Sequence, residues 1–200
     1  MSLSLRHLVR SPQAAIARGA ALLALACAVS PSAWSASLGS NLIVNGDAEA
    51  DVGSPNGDSA AAVTGFTTTG PFAVVTYVAA GGFPFPTDPG PSDRGLNFFA
   101  GGPSNAASSA TQMIDLAFAS GVINAGAGTY TLSAYLGGFS SQGDHATLTV
   151  SFLDSAQHVL MSDSIGPVSA ADRQGFTGLL PKNSVGLVPV GARYAQVALN

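Results

Sequence analysis

TYTLSAYL, residues 129–136, and ATLTVSF, residues 146–152, are the two stretches that decide the fold of this 200-residue chain. In each, apolar side chains alternate with hydroxyl-bearing ones, which is the pattern of a strand with one buried and one solvent-facing side. The positions predicted to point inward are Tyr130, Leu132, Ala134, Leu136, Ala146, Leu148, Val150 and Phe152.

Shorter runs of strand-forming residues surround these two. We predict them as strands at residues 41–46, 72–78, 95–100, 109–116, 159–165 and 192–200. In the second of these, Phe72, Val74 and Val78 are expected to share one face. The proline-rich segment 83–91 is excluded as a central strand, because proline lacks the ladder donor. Many short strands without an extended helical pattern predict an all-β fold, an antiparallel β-sandwich or jelly roll.

The first 36 residues have the order of a secretory signal peptide: a basic head, an apolar run and a region of small residues. The apolar run, residues 20–29, is shorter than the roughly 20 apolar residues that a membrane-spanning helix needs. Cys27 ends that run as a lipoprotein cysteine does, but the preceding Ala24-Leu25-Ala26 lacks the usual leucine. We therefore predict export, to the medium or the cell surface, with lipidation at Cys27 as the alternative.

The remaining residues, 37–200, are predicted to form one β-sandwich domain. No cysteine lies in that range, so disulfides are excluded after processing. The last alternating run stops at Asn200 without a tail. Two interpretations stay open: a complete domain, or one truncated before its closing strand.

Charge narrows the range of partners. Three of the seven basic residues lie in the signal segment, which leaves 4 basic and 11 acidic groups and a net charge of −7. A basic footprint for nucleic acid or an anionic membrane is therefore absent. No transmembrane helix is predicted in the processed chain.

Several segments together resemble one family, the galactose-binding-like jelly rolls that include many carbohydrate-binding modules. They also resemble the version found in exported bacterial proteins of the PEP-CTERM type, distantly similar to the F-box-associated domain. The segments are NLIVNGDAE (41–49), FFAGGP (98–103), QMIDL (112–116), LGGFSSQGDHA (136–146), IGPV (165–168) and ADR (171–173). Proteins of that group end with a further strand and a Pro-Glu-Pro sorting tail, and this chain contains neither.

An acidic loop follows the first predicted strand. Asp47, Glu49 and Asp51 alternate there, and oxygen-rich loops suit Ca²⁺. The spacing loosely resembles an EF-hand loop, but Val52 stands where the sharp-turn glycine belongs. The family resemblance implies that Glu49 is a ligand of a structural Ca²⁺. The alternative is a solvated acidic loop, and no other cofactor is expected.

A second candidate site is the loop between the strands predicted at residues 129–136 and 146–152. Gln142, Asp144 and His145 could hold sugar hydroxyls, while Phe139 or Tyr135 could stack on a sugar face. The alternative is simple turn chemistry, with Asp144 bonding its own backbone. Arg173 beside Asp172, like Arg94 beside Asp93, is either a ligand contact or a structural bridge.

Catalysis finds no support in the sequence. After processing, His145 and His158 remain without a nucleophile elbow, no carboxylate pair is marked, and zinc spacing and phosphate loops are absent. We therefore expect a non-enzymatic exported module that binds carbohydrate or extracellular polysaccharide. The alternatives are a structural matrix protein without a small ligand, and a hydrolase with unrecognised acids.

Overall fold

The computed structural model describes residues 3–5, 37–58, 60, 62–102 and 107–200. Apart from Leu3–Leu5, the predicted signal segment of residues 1–36 lies outside the described residues. Pro103, the last residue of the FFAGGP segment, also lies outside them. Processing and the completeness of the domain stay predictions.

Ten strands and one short helical segment make up the secondary structure of the described residues. A 3₁₀ turn (Ala117–Ala119) and helix α1 (Ser120–Asn124) connect the fifth and sixth strands. The strands are β1 (Leu3–Leu5), β2 (Thr67–Thr69), β3 (Ala73–Thr76), β4 (Asn97–Ala100), β5 (Ser109–Asp115), β6 (Thr129–Gly138), β7 (Leu148–Leu153), β8 (Val159–Ile165), β9 (Gly178–Leu187) and β10 (Tyr194–Leu199).

These strands form antiparallel sheets. One has five strands in the order β2-β5-β10-β7-β8, a second has three in the order β1-β6-β9, and β3 pairs with β4. The last predicted strand is confirmed as β10, and it lies in the middle of the five-stranded sheet. Its Tyr194 stands opposite Asp115 of β5 on one side and Leu153 of β7 on the other.

The alternation that predicted the fold sorts side chains as expected. On β6, Tyr130, Leu132, Ala134 and Leu136 are buried, and on β7 so are Leu148, Val150 and Phe152. The rings of Tyr130 and Phe152 meet across the two layers with centroids 4.9 Å apart. Burying a side chain such as Leu132 stabilises the fold by about 1.5–3 kcal/mol. The all-β class and the antiparallel β-sandwich are confirmed.

The strand predicted at residues 41–46 is wrong. Leu42 and Ile43 are buried there, but the backbone turns instead of pairing in a ladder. A side chain replaces the missing strand partner: Val44 N–H donates to Gln112 Oε1 at 2.9 Å, and Gln112 Nε2 donates back to Val44 O at 3.1 Å.

Three strands, β1, β2 and β9, were not predicted. β9 carries Pro181 and Gly186 and exposes Val185 and Leu187, so its pattern of exposure is the reverse of what hydrophobicity suggests. The strand predicted at 72–78 is confirmed as the shorter β3. Its expected face is wrong, because Val78 is exposed while Ala73 and Val75 are buried with Val74.

The proline-rich segment 83–91 forms no strand, as predicted. Arg94 organises it by donating to the carbonyls of Phe85, Asp88 and Pro91 at 2.8–3.1 Å. Its guanidinium also lies over the ring of Tyr77, 5.2 Å from the centroid. Of the two interpretations of Arg94, the geometry fits the structural one.

Candidate functional site

Three connections meet at one end of the sandwich: residues 77–96, 139–147 and 166–177. Pairs of hydrogen-bonded residues join them. Ser140 N–H donates to Thr177 Oγ1 at 3.0 Å, and Leu179 N–H, in β9 directly after the third connection, donates to Pro89 O at 2.8 Å. This end therefore has a fixed arrangement of loops, which is where a sandwich usually carries its binding groups.

The turn at residues 169–176 positions the central side chain of the site. Asp172 accepts hydrogen bonds from the N–H and the hydroxyl of Ser169, at 2.8 and 2.7 Å. These bonds hold the pKa of Asp172 below its ordinary value. With the turn closed in this way, the next residue, Arg173, directs its side chain under the loops and is only 5% exposed.

In the described part of the chain, the guanidinium of Arg173 has one hydrogen bond and no carboxylate within 4.0 Å to balance its buried charge. Nη2 donates to Gln142 O at 3.1 Å, while Nε and Nη1 are buried and have no hydrogen-bond partner. Among the described residues, the one acidic–basic pair within 4.0 Å is His158 with Asp154, so Arg173 has no acidic partner at that distance. Buried donors without partners typically cost about 1–3 kcal/mol each.

Above this guanidinium lies a cavity of about 560 Å³, a size typical of small-ligand sites. Phe176 stands at its rim with 69% of its surface exposed. Two carboxylates, one amide and one hydroxyl supply polar groups beside this ring. The full lining is Asp88, Pro89, Asp172, Arg173, Gln174, Phe176, Thr177 and Leu180.

Three further residues from the sequence prediction lie in the loop at residues 139–147, at the same end of the sandwich. Gln142 contacts Arg173 through its backbone carbonyl. Asp144 Oδ2 and Arg173 Nη2 both approach the backbone of Gly138, at 2.8 and 3.1 Å from the place where a Cβ on that glycine would lie. The ring of Phe139 packs against Gly82. Phe139, Gln142, Asp144 and Arg173 are therefore gathered at one end of the molecule.

Two predicted ligand residues are placed differently. His145 is exposed, and its Nδ1 lies 2.9 Å from Gly143 O within its own loop. Tyr135 is half-buried in the interior of β6, opposite Pro181 of β9. Neither residue lines the cavity.

Sequence reasoning missed Phe176, Gln174 and Asp88. The signal for Phe176 was present, since an aromatic residue directly after Gly175 in a segment without strand pattern is a candidate for an exposed ring. Asp88 gave no such signal, because it reaches the cavity through the fold of the 83–91 segment. Its Oδ2 accepts the N–H of Phe85 at 2.7 Å.

The acidic loop predicted to hold calcium directs its carboxylates to different partners. Asp51 accepts from Asn45 Nδ2 at 2.8 Å and from Thr64 N–H and Oγ1 at 3.0 and 2.7 Å. Glu49 Oε1 accepts from the N–H of Asn97 at 2.7 Å, and Asp47 Oδ1 accepts from the N–H of Glu49 at 3.3 Å. Calcium at Asp47, Glu49 and Asp51 stays a prediction.

Where the structure describes the chain, none of its helices is long and apolar enough to cross a membrane. No protein-family model and no curated protein matches this sequence. Among solved structures, the chain is similar to the enzymatically active domain of tailspike protein 4 of bacteriophage CBA120. The identity is 18%, the TM-score is 0.42, and the match covers 73% of this chain and 19% of that one. At this level of similarity, function has to be argued from the site itself.

Proposed function

We propose that this protein is an exported, non-catalytic module that binds carbohydrate or extracellular polysaccharide through the loop end of its sandwich. The single observation that carries the proposal is the exposed ring of Phe176 beside a cavity with polar groups. Ligand sites combine apolar contact area with a few fixed polar groups in this way.

Each group has a role in this proposal. The ring of Phe176 gives apolar contact to one face of a sugar. Asp88 and Asp172 accept hydrogen bonds from sugar hydroxyls, and the amide of Gln174 both donates and accepts. The bonds from Ser169 fix the carboxylate of Asp172 before a ligand arrives, so little ordering is needed on binding.

Arg173 supports the same interpretation. A buried guanidinium with two unpartnered nitrogens is unfavourable for the free protein. Buried polar groups are nearly always hydrogen-bonded, so two buried nitrogens without a partner suit a ligand that supplies acceptors. The positive charge beneath the cavity also offsets the two carboxylates that line it.

A glycan array tests the proposal directly. The full chain is expected to bind a defined subset of glycans, and Phe176→Ala should reduce that binding at least tenfold. Phe118→Ala is the matched control, because Phe118 is also an exposed phenylalanine but follows β5 at the other end of the sandwich. Equal binding by both variants, or no glycan bound by the wild type, would contradict the proposal.

One observation favours a second candidate, a glycan hydrolase. Asp88 and Asp172 line the same cavity, and glycosidases act with two carboxylates. The lowered pKa of Asp172 suits a base or nucleophile and not the proton donor that such an enzyme also needs. Release of new reducing ends from a bound glycan, lost in both Asp88→Asn and Asp172→Asn, would favour the hydrolase over the binding module.

Export and calcium belong to the proposal as separate parts. Export depends on residues 1–36, and amino-terminal sequencing of protein secreted by a bacterial host tests it. A first residue near Ala36 or Ser37 is the expected result. Full-length protein retained in the cytoplasm would remove this part and leave the binding site untouched.

A further inference from the structure

Among the described strands, β6 has the longest run of uncharged residues. Its ten residues, TYTLSAYLGG, contain no charged side chain and no proline. Edge strands of soluble proteins are normally protected against pairing with other chains by charges, proline or short length. By this criterion, the edge of β6 that faces away from β9 needs a covering strand.

In the three-stranded and five-stranded sheets, the outer strands other than β1 show that protection. β2 has only three residues. β9 carries Pro181 and Lys182. β8 carries Asp163, whose carboxylate is directed toward the other layer. β6 therefore differs from each of them.

Within the described residues, β1 is the strand that pairs on this edge of β6. Leu3 stands opposite Ala134, Ser4 opposite Ser133 and Leu5 opposite Leu132. β1 thus spans three of the ten residues of β6, and residues 6–36 separate it from the start of the domain.

We infer that this edge of β6 is a strand-acceptor site, which takes an uncharged extended segment of a partner polypeptide when β1 is not in place. Adding a strand to an open edge is a common mode of peptide recognition, in which backbone bonds give affinity and alternate side chains give specificity. This inference rests on the export part of the proposed function. Signal cleavage would remove residues 1–36, and β1 with them, and would leave this edge of β6 without a paired strand.

The register also defines the chemistry of the segment. Leu132 and Ala134 are 0% and 3% exposed, so residues opposite them lie on the core side of the sheet. Those positions call for apolar residues, with a polar one between them, as in the Leu-Ser-Leu of β1. The partner segment is therefore expected to be neutral and to alternate apolar with polar residues.

The test uses the full chain with Ser4→Pro and Leu5→Pro together, which removes a ladder donor whichever of the two residues faces β6. Leu8→Pro with Val9→Pro is the matched control outside β1. Among residues 131–135, amide exchange should rise at least tenfold in the first variant only, at those N–H groups that face β1 and not β9. A labelled, end-capped peptide of residues 1–5, which carries no charge, should then bind that variant saturably and restore protection, and the same peptide with both prolines should not.

Unchanged exchange at residues 131–135 would overturn the inference. So would a variant that forms dimers and binds no peptide, because the occupant would then be a second copy of the chain. If the variant does not fold, the folded wild-type chain can be cut within residues 20–36 by an inserted protease site. Exchange of the released segment for the labelled peptide supports the acceptor site, and failure to exchange contradicts it. Neither result bears on glycan binding at Phe176.

Discussion

Tyr130 of β6 donates its phenolic hydroxyl to Asp163 Oδ2 of β8 at 2.8 Å, and this bond joins the two layers of the sandwich. A hydrogen bond from Ser184, together with the one from Tyr130, holds the pKa of Asp163 below its ordinary value. Burial, with help from the same carboxylate, raises the pKa of Tyr130 to about 12. The pair is therefore poised as a neutral phenol donating to a charged acceptor throughout the physiological range.

Acid should weaken this connection. A carboxylate whose pKa is lowered by folding stabilises the native state above its unfolded pKa, about 4, and loses that contribution as pH falls through the folded value. We expect Asp163→Asn to melt below the wild type at pH 6 and the difference to shrink at pH 3. Thermal melts at both pH values check this, with Asp58→Asn as an exposed control. A difference that stays constant would contradict the assignment.

Removing the donor should cost stability at neutral pH. Tyr130→Phe keeps the ring contact with Phe152 but leaves Asp163 with one partner fewer. Hydrogen bonds to charged groups contribute about 1.5–3 kcal/mol. Urea unfolding at pH 7 should show a loss near the lower end of that range, because Asp163 is only half-buried. An unchanged midpoint would show that the two layers do not depend on this bond.

Glycine is required at the end of β6 beside the site. A Cβ on Gly137 would lie 1.9 Å from Gly178 O, a backbone atom of the paired strand, whereas a Cβ on Gly143 meets nothing within 4 Å. Forced contacts of this kind in a packed region cost about 1–3 kcal/mol. Gly137→Ala should therefore lower the melting temperature by several degrees, and Gly143→Ala should leave it unchanged. Similar melts of the two variants would contradict the packing described here.

Glu49 allows a test of the calcium prediction. Glu49→Ala removes the acceptor for the backbone N–H of Asn97, which is a buried residue, so the variant should melt lower even without metal. If Glu49 also binds Ca²⁺, millimolar Ca²⁺ raises the melting temperature of the wild type and not that of the variant. The same melts with Mg²⁺ are the control. A Ca²⁺-dependent rise in melting temperature in both proteins, or in neither, would contradict calcium binding by Glu49.

Substitutions at Arg173 distinguish a role in ligand binding from a role in stability. Arg173→Met replaces an uncompensated buried charge by an apolar chain of similar length, so its melting temperature should equal or exceed that of the wild type. Glycan affinity should fall at least tenfold in the same variant, and Arg173→Lys should retain part of it. A large drop in melting temperature would instead make Arg173 a structural bridge between the loops at residues 139–147 and 166–177.

Sequence reasoning recovered the parts of the fold that depend on local alternation. β6, β7 and β10 have one buried and one half-buried side, so the period of two was visible without any partner strand. β9 was missed because Val185 and Leu187 face outward and Pro181 interrupts the pattern. At residues 41–46 no strand forms, because the amide of Gln112 accepts the hydrogen bond of Val44 N–H that a partner strand would otherwise accept. Val44 and Gln112 lie 68 positions apart, so no local pattern indicates this contact.

The candidate site could be predicted only where its residues are recognisable from the local sequence. Gln142, Asp144 and Arg173 stood out as polar residues in glycine-bounded loops, and the structure does gather them. The cavity itself depends on the meeting of the 77–96 and 166–177 connections with β9, so that Asp88 and Asp172 line the same space. Tyr135 and His145 were chosen for chemistry alone, and their positions in β6 and on the outside of a loop keep them away from the cavity.

The most direct test of the binding site is an NMR titration of the isotope-labelled chain with a glycan that the array identifies. The account predicts that amide signals of residues 172–177 and of Asp88 shift together and saturate with one affinity. Shifts confined to the outer face of the five-stranded sheet, for example at Thr149 and Ser151, with residues 172–177 unchanged, would contradict it.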